Sequence, residues 1–381
     1  MNEMTVNNGD KQQKAAVTVG QWYEPDDDTL ADLLRRIYKN KYYTNHGPLA
    51  VEFESSLSSY LNVKNAIVST NATLALMMAL VALDVKGTVI VPSICSPGVV
   101  EAVLWAGLTP VFCDVDKDTG HMTAEIVKDV IDDDTRIIIA TSLWGNVCET
   151  GDLVGIYGHA GLKIIHYAEG AFGVIVNDEI LGCDCDAVIF SFDSTNILST
   201  TGGGCLATNN ELLARKVRNI RSSYGAGAPE KVPVTANGRF SEYQAALGLW
   251  SLSELESHRE RNKSIIDIYK QSLESISGIQ FLGGRGHVIS NYQDAVLIIQ
   301  DSGPAVMRDQ VRSVLEEHNI FTTDSYGAYF DNTGIFSSWC NGCVFPNMTQ
   351  LSDTSLNLPV GSKVTPALAE KIGVLVESCF H

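Results

Sequence analysis

NAIVSTNATLALMMALVALDVKGTVIVPS, residues 65–93, is the stretch whose reading decides the fold. NAIVS (65–69) and TVIVP (88–92) are short apolar runs rich in β-branched residues, the pattern of strands covered on both faces. Between them ATLALMMALVAL (72–83) reads as an amphipathic helix. The segment from Asn65 to Leu83 is also the longest uncharged run, but Ser, Thr and Asn punctuate it, so it reads as strand, turn and helix and not as a membrane span.

The same alternation continues outward. TPVFCDV (109–115), RIIIATS (136–142), LKIIHYA (162–168) and DAVIFSF (186–192) have the character of buried strands, and PGVVEAVLWAG (97–107) and TAEIVKDVI (123–131) that of helices. Such an order predicts an α/β domain with a parallel or mostly parallel sheet between helices. Farther on, 241–276 reads as one long or broken helix, DAVLIIQ (294–300) as a strand, AVMRDQVRSVLEEHN (305–319) as a helix, and a last helix lies near 366–378. The expected organisation is a flexible tail over 1–20, a large α/β domain over 21–255 and a smaller C-terminal α+β domain over 256–381. In such sheets pockets form at the C-terminal strand ends and at the domain junction.

Composition narrows the function. The 381 residues are 45% hydrophobic and 19% charged, and 27 basic against 45 acidic residues leave a formal net charge of −18. That balance argues against nonspecific binding of nucleic acid or an anionic membrane. Nine irregularly spaced cysteines, with no signal peptide before them, point to a reduced, cytoplasmic setting. Cys183-x-Cys185 and Cys340-x-x-Cys343 lack a second pair at zinc-binding spacing, so no metal is expected. The glycine-rich run at 201–206 has no Lys-Ser/Thr after it and is no nucleotide P-loop. The clusters Asp26–Asp28 and Asp132–Asp134 read as helix caps or solvated turns.

In order along the chain stand HGPLAVEFESSLSSYLNVKNAIVSTNAT (46–73), the VIVPS and AVLWAGLTPVFCDVD blocks, SLWG (142–145), AEGAFG (168–173), FSFDSTNILSTTGGG (190–204) and NGRFSEYQAALGLWSL (237–252). Together they resemble the DegT/DnrJ/StrS family of sugar aminotransferases, fold-type I enzymes that use pyridoxal phosphate. The resemblance runs from about Tyr43 to the C-terminus. It implies a mostly parallel seven-stranded-type sheet and a homodimer with active sites at the subunit interface.

Residue by residue, the resemblance is uneven. Aligned on SF at one end and GG at the other, FSFDSTNILSTTGGG puts Asn196 where the family carries its cofactor-binding lysine. An amide nitrogen has no lone pair available for a Schiff base. HYAEGAFG puts Tyr167 where the family's Asp holds the pyridine nitrogen protonated, with Glu169 two residues on; a phenol, with a pKa of about 10, is no substitute for that anion. VPSICSPG puts Ser96 at the place of the ring-stacking aromatic, beside Cys95. The phosphate loop reads Asn71-Ala72-Thr73, and Thr73 with the helix N-terminus retains an anion-binding character. Asn237 matches the residue with which, in the family, the neighbouring subunit contacts the phosphate.

These positions imply that His166, Tyr167, Glu169, Asp193, Asn196 and Ser96 converge on the former cofactor cavity, with His166 as general acid or base, Tyr167 and Asn196 as hydrogen-bond donors, and Glu169 or Asp193 as the orienting carboxylate. A hydrogen-bonded network that simply fills the vacated space is the alternative. Cys95 is a candidate nucleophile beside His166, and Trp144 either stacks on a ligand or packs in the core. Three readings stay open: an enzyme repurposed for chemistry without pyridoxal phosphate on a small polar, nucleotide-sugar-like metabolite; a non-catalytic ligand-binding or partner subunit; and an aminotransferase or dehydratase that holds its cofactor noncovalently.

Overall fold

The computed structural model describes residues 16–21, 23–283, 286–300, 303–324, 334–340 and 342–380. Its main sheet has seven strands in the spatial order Asn65–Ser69, Gly204–Thr208, Ala187–Ser191, Lys163–Tyr167, Thr135–Thr141, Thr88–Pro92 and Thr109–Cys113. All pairings from Ala187–Ser191 to Thr109–Cys113 are parallel. Gly204–Thr208 runs antiparallel to both neighbours. This strand begins inside the glycine-rich run 201–206, where the sequence pattern predicts none. Its first residue, Gly204, passes so close to the start of the next-door helix that a Cβ there would lie 2.5 Å from the Ala72 amide nitrogen.

Period-two alternation divides the strand residues between two cores. Ile67, Val89, Val91, Ile137, Ile139, Ile165 and Ile189 face one layer of helices. The intervening Ile90, Ile138, Ala140 and Ile164, and farther along Ala66, Val68, Val188 and Phe190, face the other side. The Ala72–Leu83 helix is not amphipathic as expected but apolar on every side, because it is wedged between the sheet and the helices Pro97–Trp105 and Glu211–Ser222. Asn71 caps it, accepting from the Leu74 amide at 2.7 Å, and Asp84 ends it in the left-handed region at φ 53°. Each fully buried Leu or Met of this helix contributes roughly 1.5–3 kcal/mol.

The 241–276 stretch breaks into Glu242–Ser253 and Leu255–Leu273, with a Ser241/Gln244 capping box at the start. Glu242 is fully buried and its two carboxylate oxygens accept from the Leu49 and Ala50 amides, each at 2.9 Å. A carboxylate thereby closes the positive end of the Pro48–Tyr60 helix, which has no side-chain cap of its own. The acidic clusters behave as read: Asp26 caps the Asp27–Asn40 helix and Asp132 folds a turn onto Thr135.

A second, antiparallel sheet of Ile279–Phe281, Ala295–Ile299 and Ser355–Leu358 has its own core, closed by Leu255–Leu273, Pro304–Glu317 and Pro366–Glu377. Val17–Thr18 joins this unit by pairing with Ile320–Phe321, so the expected tail of residues 1–20 ends in a strand. Residues 1–15 of that tail lie outside the described residues. No described helix is long and apolar enough to cross a membrane.

Candidate functional site

The loops that follow the strand ends at 69, 92, 167 and 191 carry the polar groups of the site. Thr73 stands in the first turn of the Ala72–Leu83 helix, and Gly98 in the first turn of Pro97–Trp105 approaches its hydroxyl so closely that any side chain at 98 would collide with it. Two helix N-termini therefore meet at one place, and Ser96, the N-cap of the second, spends no side-chain hydrogen bond on its own helix. The Ser96 hydroxyl instead donates to Glu169.

Glu169 lies in the turn just past the Lys163–Tyr167 strand. The residue is half-buried, yet its Oε2 is closed off from solvent and has no hydrogen-bond partner among the described residues. Burial pushes its carboxyl from an ordinary 4.5 up to about 7; the Ser96 bond opposes the rise, and Asp193 and Asp294 add to it. Asp294 is itself raised by burial, while its oxygens accept from Asn357 Nδ2 at 2.6 Å and Gln293 Nε2 at 3.1 Å.

Asn196 is buried and both ends of its amide are occupied. Its Nδ2 donates to the Ser191 carbonyl at 3.1 Å and its Oδ1 accepts from Gln293 Nε2 at 3.3 Å. Gln293 also accepts from the Ile197 amide through Oε1 at 3.3 Å, and its carbonyl receives Gln21 Nε2 at 2.6 Å. Asn291 clamps the neighbouring loop, donating to the carbonyls of Gly170 and Phe172 at 3.0 Å each. The small unit thus supplies a wall of the site that no motif announced. Gln293, Asp294 and Asn291 were missed because their sequence looks like an ordinary polar lead-in to a strand; only tertiary packing brings them to residue 196.

The expected convergence is only partly met. Ser96, Glu169, Asp193 and Asn196 do gather, with Asp193 exposed and accepting from Ser194 Oγ at 3.0 Å. His166 and Tyr167 do not share a face: Tyr167 belongs to the core with Ile165, whereas His166 points to the opposite side of the sheet. There its Nε2 meets Ser142 Oγ at 2.6 Å, and burial pulls its imidazole down to about 4, which favours the neutral ring. The pairing of Cys95 with His166 fails for the same reason. Cys95 lies in the Tyr167 core, fully buried, with its thiol pushed well up by desolvation.

The other expected ligand contacts are mixed. The Asn71 side chain is committed to its cap. Trp144, held at φ 60°, packs against the Tyr167 core over Gly120. Asn237 is exposed, and the adjacent Gly238 ties its loop to Thr70, whose amide donates to the Gly238 carbonyl at 3.2 Å. Cys183 and Cys185 are free thiols, and no group of three metal-binding side chains occurs among the described residues.

A family model, the DegT/DnrJ/EryC1/StrS aminotransferase family, matches residues 25–377. The chain belongs to this family. Over 339 residues it is 27% identical to a dTDP-4-amino-4,6-dideoxy-D-glucose transaminase of Shigella dysenteriae, covering 89% of this chain and 92% of that protein. The corresponding transaminase of Escherichia coli is 29% identical over 354 residues, covering 90% and 93%. The crystal structure of DesI in the presence of its TDP-sugar product superposes with a TM-score of 0.88 at 28% identity, over 96% of this chain and 93% of that one. Helicobacter pylori PseC, at 19% identity and a TM-score of 0.86 over 96% and 99%, shares the fold. The mostly parallel sheet and fold-type I architecture expected from the sequence are thereby established.

Proposed function

We propose that this family member acts on a sugar-nucleotide or a comparably polar sugar metabolite without a lysine-tethered cofactor, and that Glu169 is its proton-transfer group. The observation that carries the reading is Asn196. The segment 164–215 contains no lysine, and both polar atoms of the Asn196 amide are already engaged. The flanking lysines are held elsewhere, Lys163 by Asp186 at 3.0 Å and Lys216 by the Ala82 carbonyl at 3.1 Å. On this reading the residues do not fit a covalently held pyridoxal phosphate, and Tyr167 and Ser96 stand where its ring would be charged and stacked.

Glu169 has what a general acid or base needs near pH 7: a carboxyl titrating close to the working pH, the Ser96 hydroxyl beside it, and an Oε2 shielded from water and without a hydrogen-bond partner among the described residues. The paired helix N-termini at Thr73 and Ser96 suit a phosphate or diphosphate of the substrate. A homodimer is part of the proposal, supported by the exposed aromatic rings of Tyr38, Tyr42, Tyr43 and Tyr243; so is a cytoplasmic setting, for which nine free cysteines speak.

A second reading, a noncovalently held pyridoxal or pyridoxamine phosphate, draws on that same anion cradle. Absorbance spectra after incubation with either coenzyme, borohydride treatment and mass spectrometry separate the two. The first reading expects no phosphopyridoxyl-lysine adduct, and turnover of a sugar-nucleotide that Glu169→Gln abolishes. A borohydride-stable adduct, or undiminished turnover in the Gln variant, overturns it.

A further inference from the structure

On the side of the sheet away from Tyr167 lie two adjoining chambers of about 660 and 140 Å³. Val147, Glu149 and Asp152 line both and so form the partition between them. The larger volume falls within the range of small-molecule sites, roughly 300–1,000 Å³. None of the candidate-site residues Thr73, Ser96, Glu169 or Asn196 lines either chamber.

The lining has one sign. Glu149, Asp152, Glu179 and Asp184 face the larger chamber, and among the described residues no lysine or arginine does; the basic contribution among them is His287, whose Nε2 lies 3.3 Å from Glu149. Thr150 directs its hydroxyl onto Asp184, 2.9 Å from both oxygens. A phosphate or nucleotide would meet like charge here. A bare metal ion does not fit either, since no three metal-binding side chains come together among the described residues.

The smaller chamber adds an independent requirement. Asn146, 6% exposed, lines it, and its Nδ2 is buried with no hydrogen-bond partner among the described residues, while its Oδ1 accepts from the Val147 amide at 2.9 Å. A buried donor without an acceptor costs about 1–3 kcal/mol. An oxygen-bearing ligand reaching past the partition would remove that cost.

We propose that the two chambers form a second ligand site, for a small hydroxylated primary amine of the amino-sugar kind. Its ammonium lies against the carboxylates of the partition, Glu149 and Asp152, and a hydroxyl oxygen accepts from Asn146 Nδ2. The inference does not rest on the proton-transfer role of Glu169.

The test uses glucosamine as probe, titrated calorimetrically into the full chain at up to about 10 mM, where a site with Kd of about 1 mM fills. Saturable 1:1 binding is expected, weakened at least tenfold by Asp152→Asn and by Glu149→Gln, and unchanged by Glu169→Gln. Glucose and N-acetylglucosamine, which lack the ammonium, are expected to bind at least tenfold more weakly. Circular dichroism verifies that each variant is folded. No saturable binding of glucosamine overturns the proposal, as does equal affinity for glucose or undiminished binding by both partition variants. Loss of binding in Glu169→Gln alone would move the ligand to the other site and equally overturn it.

Discussion

Replacing Glu169 by Gln offers a test of the site's electrostatics that needs no substrate. Burial raises the Glu169 carboxyl from 4.5 to about 7. A displacement of that size corresponds to about 3 kcal/mol between the two protonation states. Because the side chain keeps part of its solvent, we discount this to about 2 kcal/mol. The sign follows from linkage. Between the unfolded and folded values the native protein holds the proton and the unfolded chain has released it, so native stability falls as pH rises through that window. Below about pH 4.5 both states are protonated and the penalty vanishes; above about pH 7 it is fully present.

Glutamine cannot titrate, so the difference between wild type and Glu169→Gln isolates the effect from every other group. Urea unfolding at about pH 5, 6, 7 and 8 is the assay, with stability taken from midpoint and slope. Relative to the variant, wild type is expected to lose roughly 1–2 kcal/mol between the lowest and highest pH, most of it below pH 7. A flat difference would mean that the carboxyl is well solvated. A difference of opposite sign would mean that the Ser96 bond outweighs burial, and either result refutes the description of Oε2 as shielded.

Glu242→Ala removes the acceptor of the Leu49 and Ala50 amides at a fully buried helix start, with an expected loss of about 2–4 kcal/mol in urea unfolding and amide exchange that rises first in residues 48–52. Glu54→Ala strands the guanidinium of Arg221, whose Nη1 lies 2.6 Å from Glu54 Oε1 and 2.7 Å from the Val68 carbonyl; about 3–5 kcal/mol is expected, with a smaller loss when Arg221→Met accompanies it. Iodoacetamide followed by peptide mapping is expected to label Cys183, half-buried and with its thiol lowered by the Cys185 hydrogen bond, well before the buried Cys95 and Cys113 of the native protein.

The parallel strands were readable because each is an unbroken apolar run that nothing but a two-sided burial explains. Gly204–Thr208 was hidden for the opposite reason: its glycine is demanded by the passing Ala72 amide, a contact between segments far apart in sequence, and glycine reads locally as loop. The separation of His166 from Tyr167 needed no structure. Adjacent residues on a strand point to opposite faces, and 162–168 reads as a strand, so the two side chains had to part. Period-two extension past the strand was the weaker argument, since the strand stops at Tyr167 and Glu169 reaches Ser96 from a turn.

What the chain could not disclose locally is the polarity around residue 196. Gln293 has no freedom to turn its amide over: its oxygen must accept from the Ile197 amide, and its nitrogen must donate to Asp294. It therefore presents an N–H, never an oxygen, toward residue 196, and Asn196 answers with Oδ1. A lysine at this position would set an ammonium donor against a donor, and leave the Ser191 carbonyl without the Asn196 Nδ2 that now serves it. Asn196 is thus matched to partners that come from a different unit of the fold, 97 positions along the chain in the case of Gln293. An isolated substitution in an otherwise unchanged pocket would show no such fit.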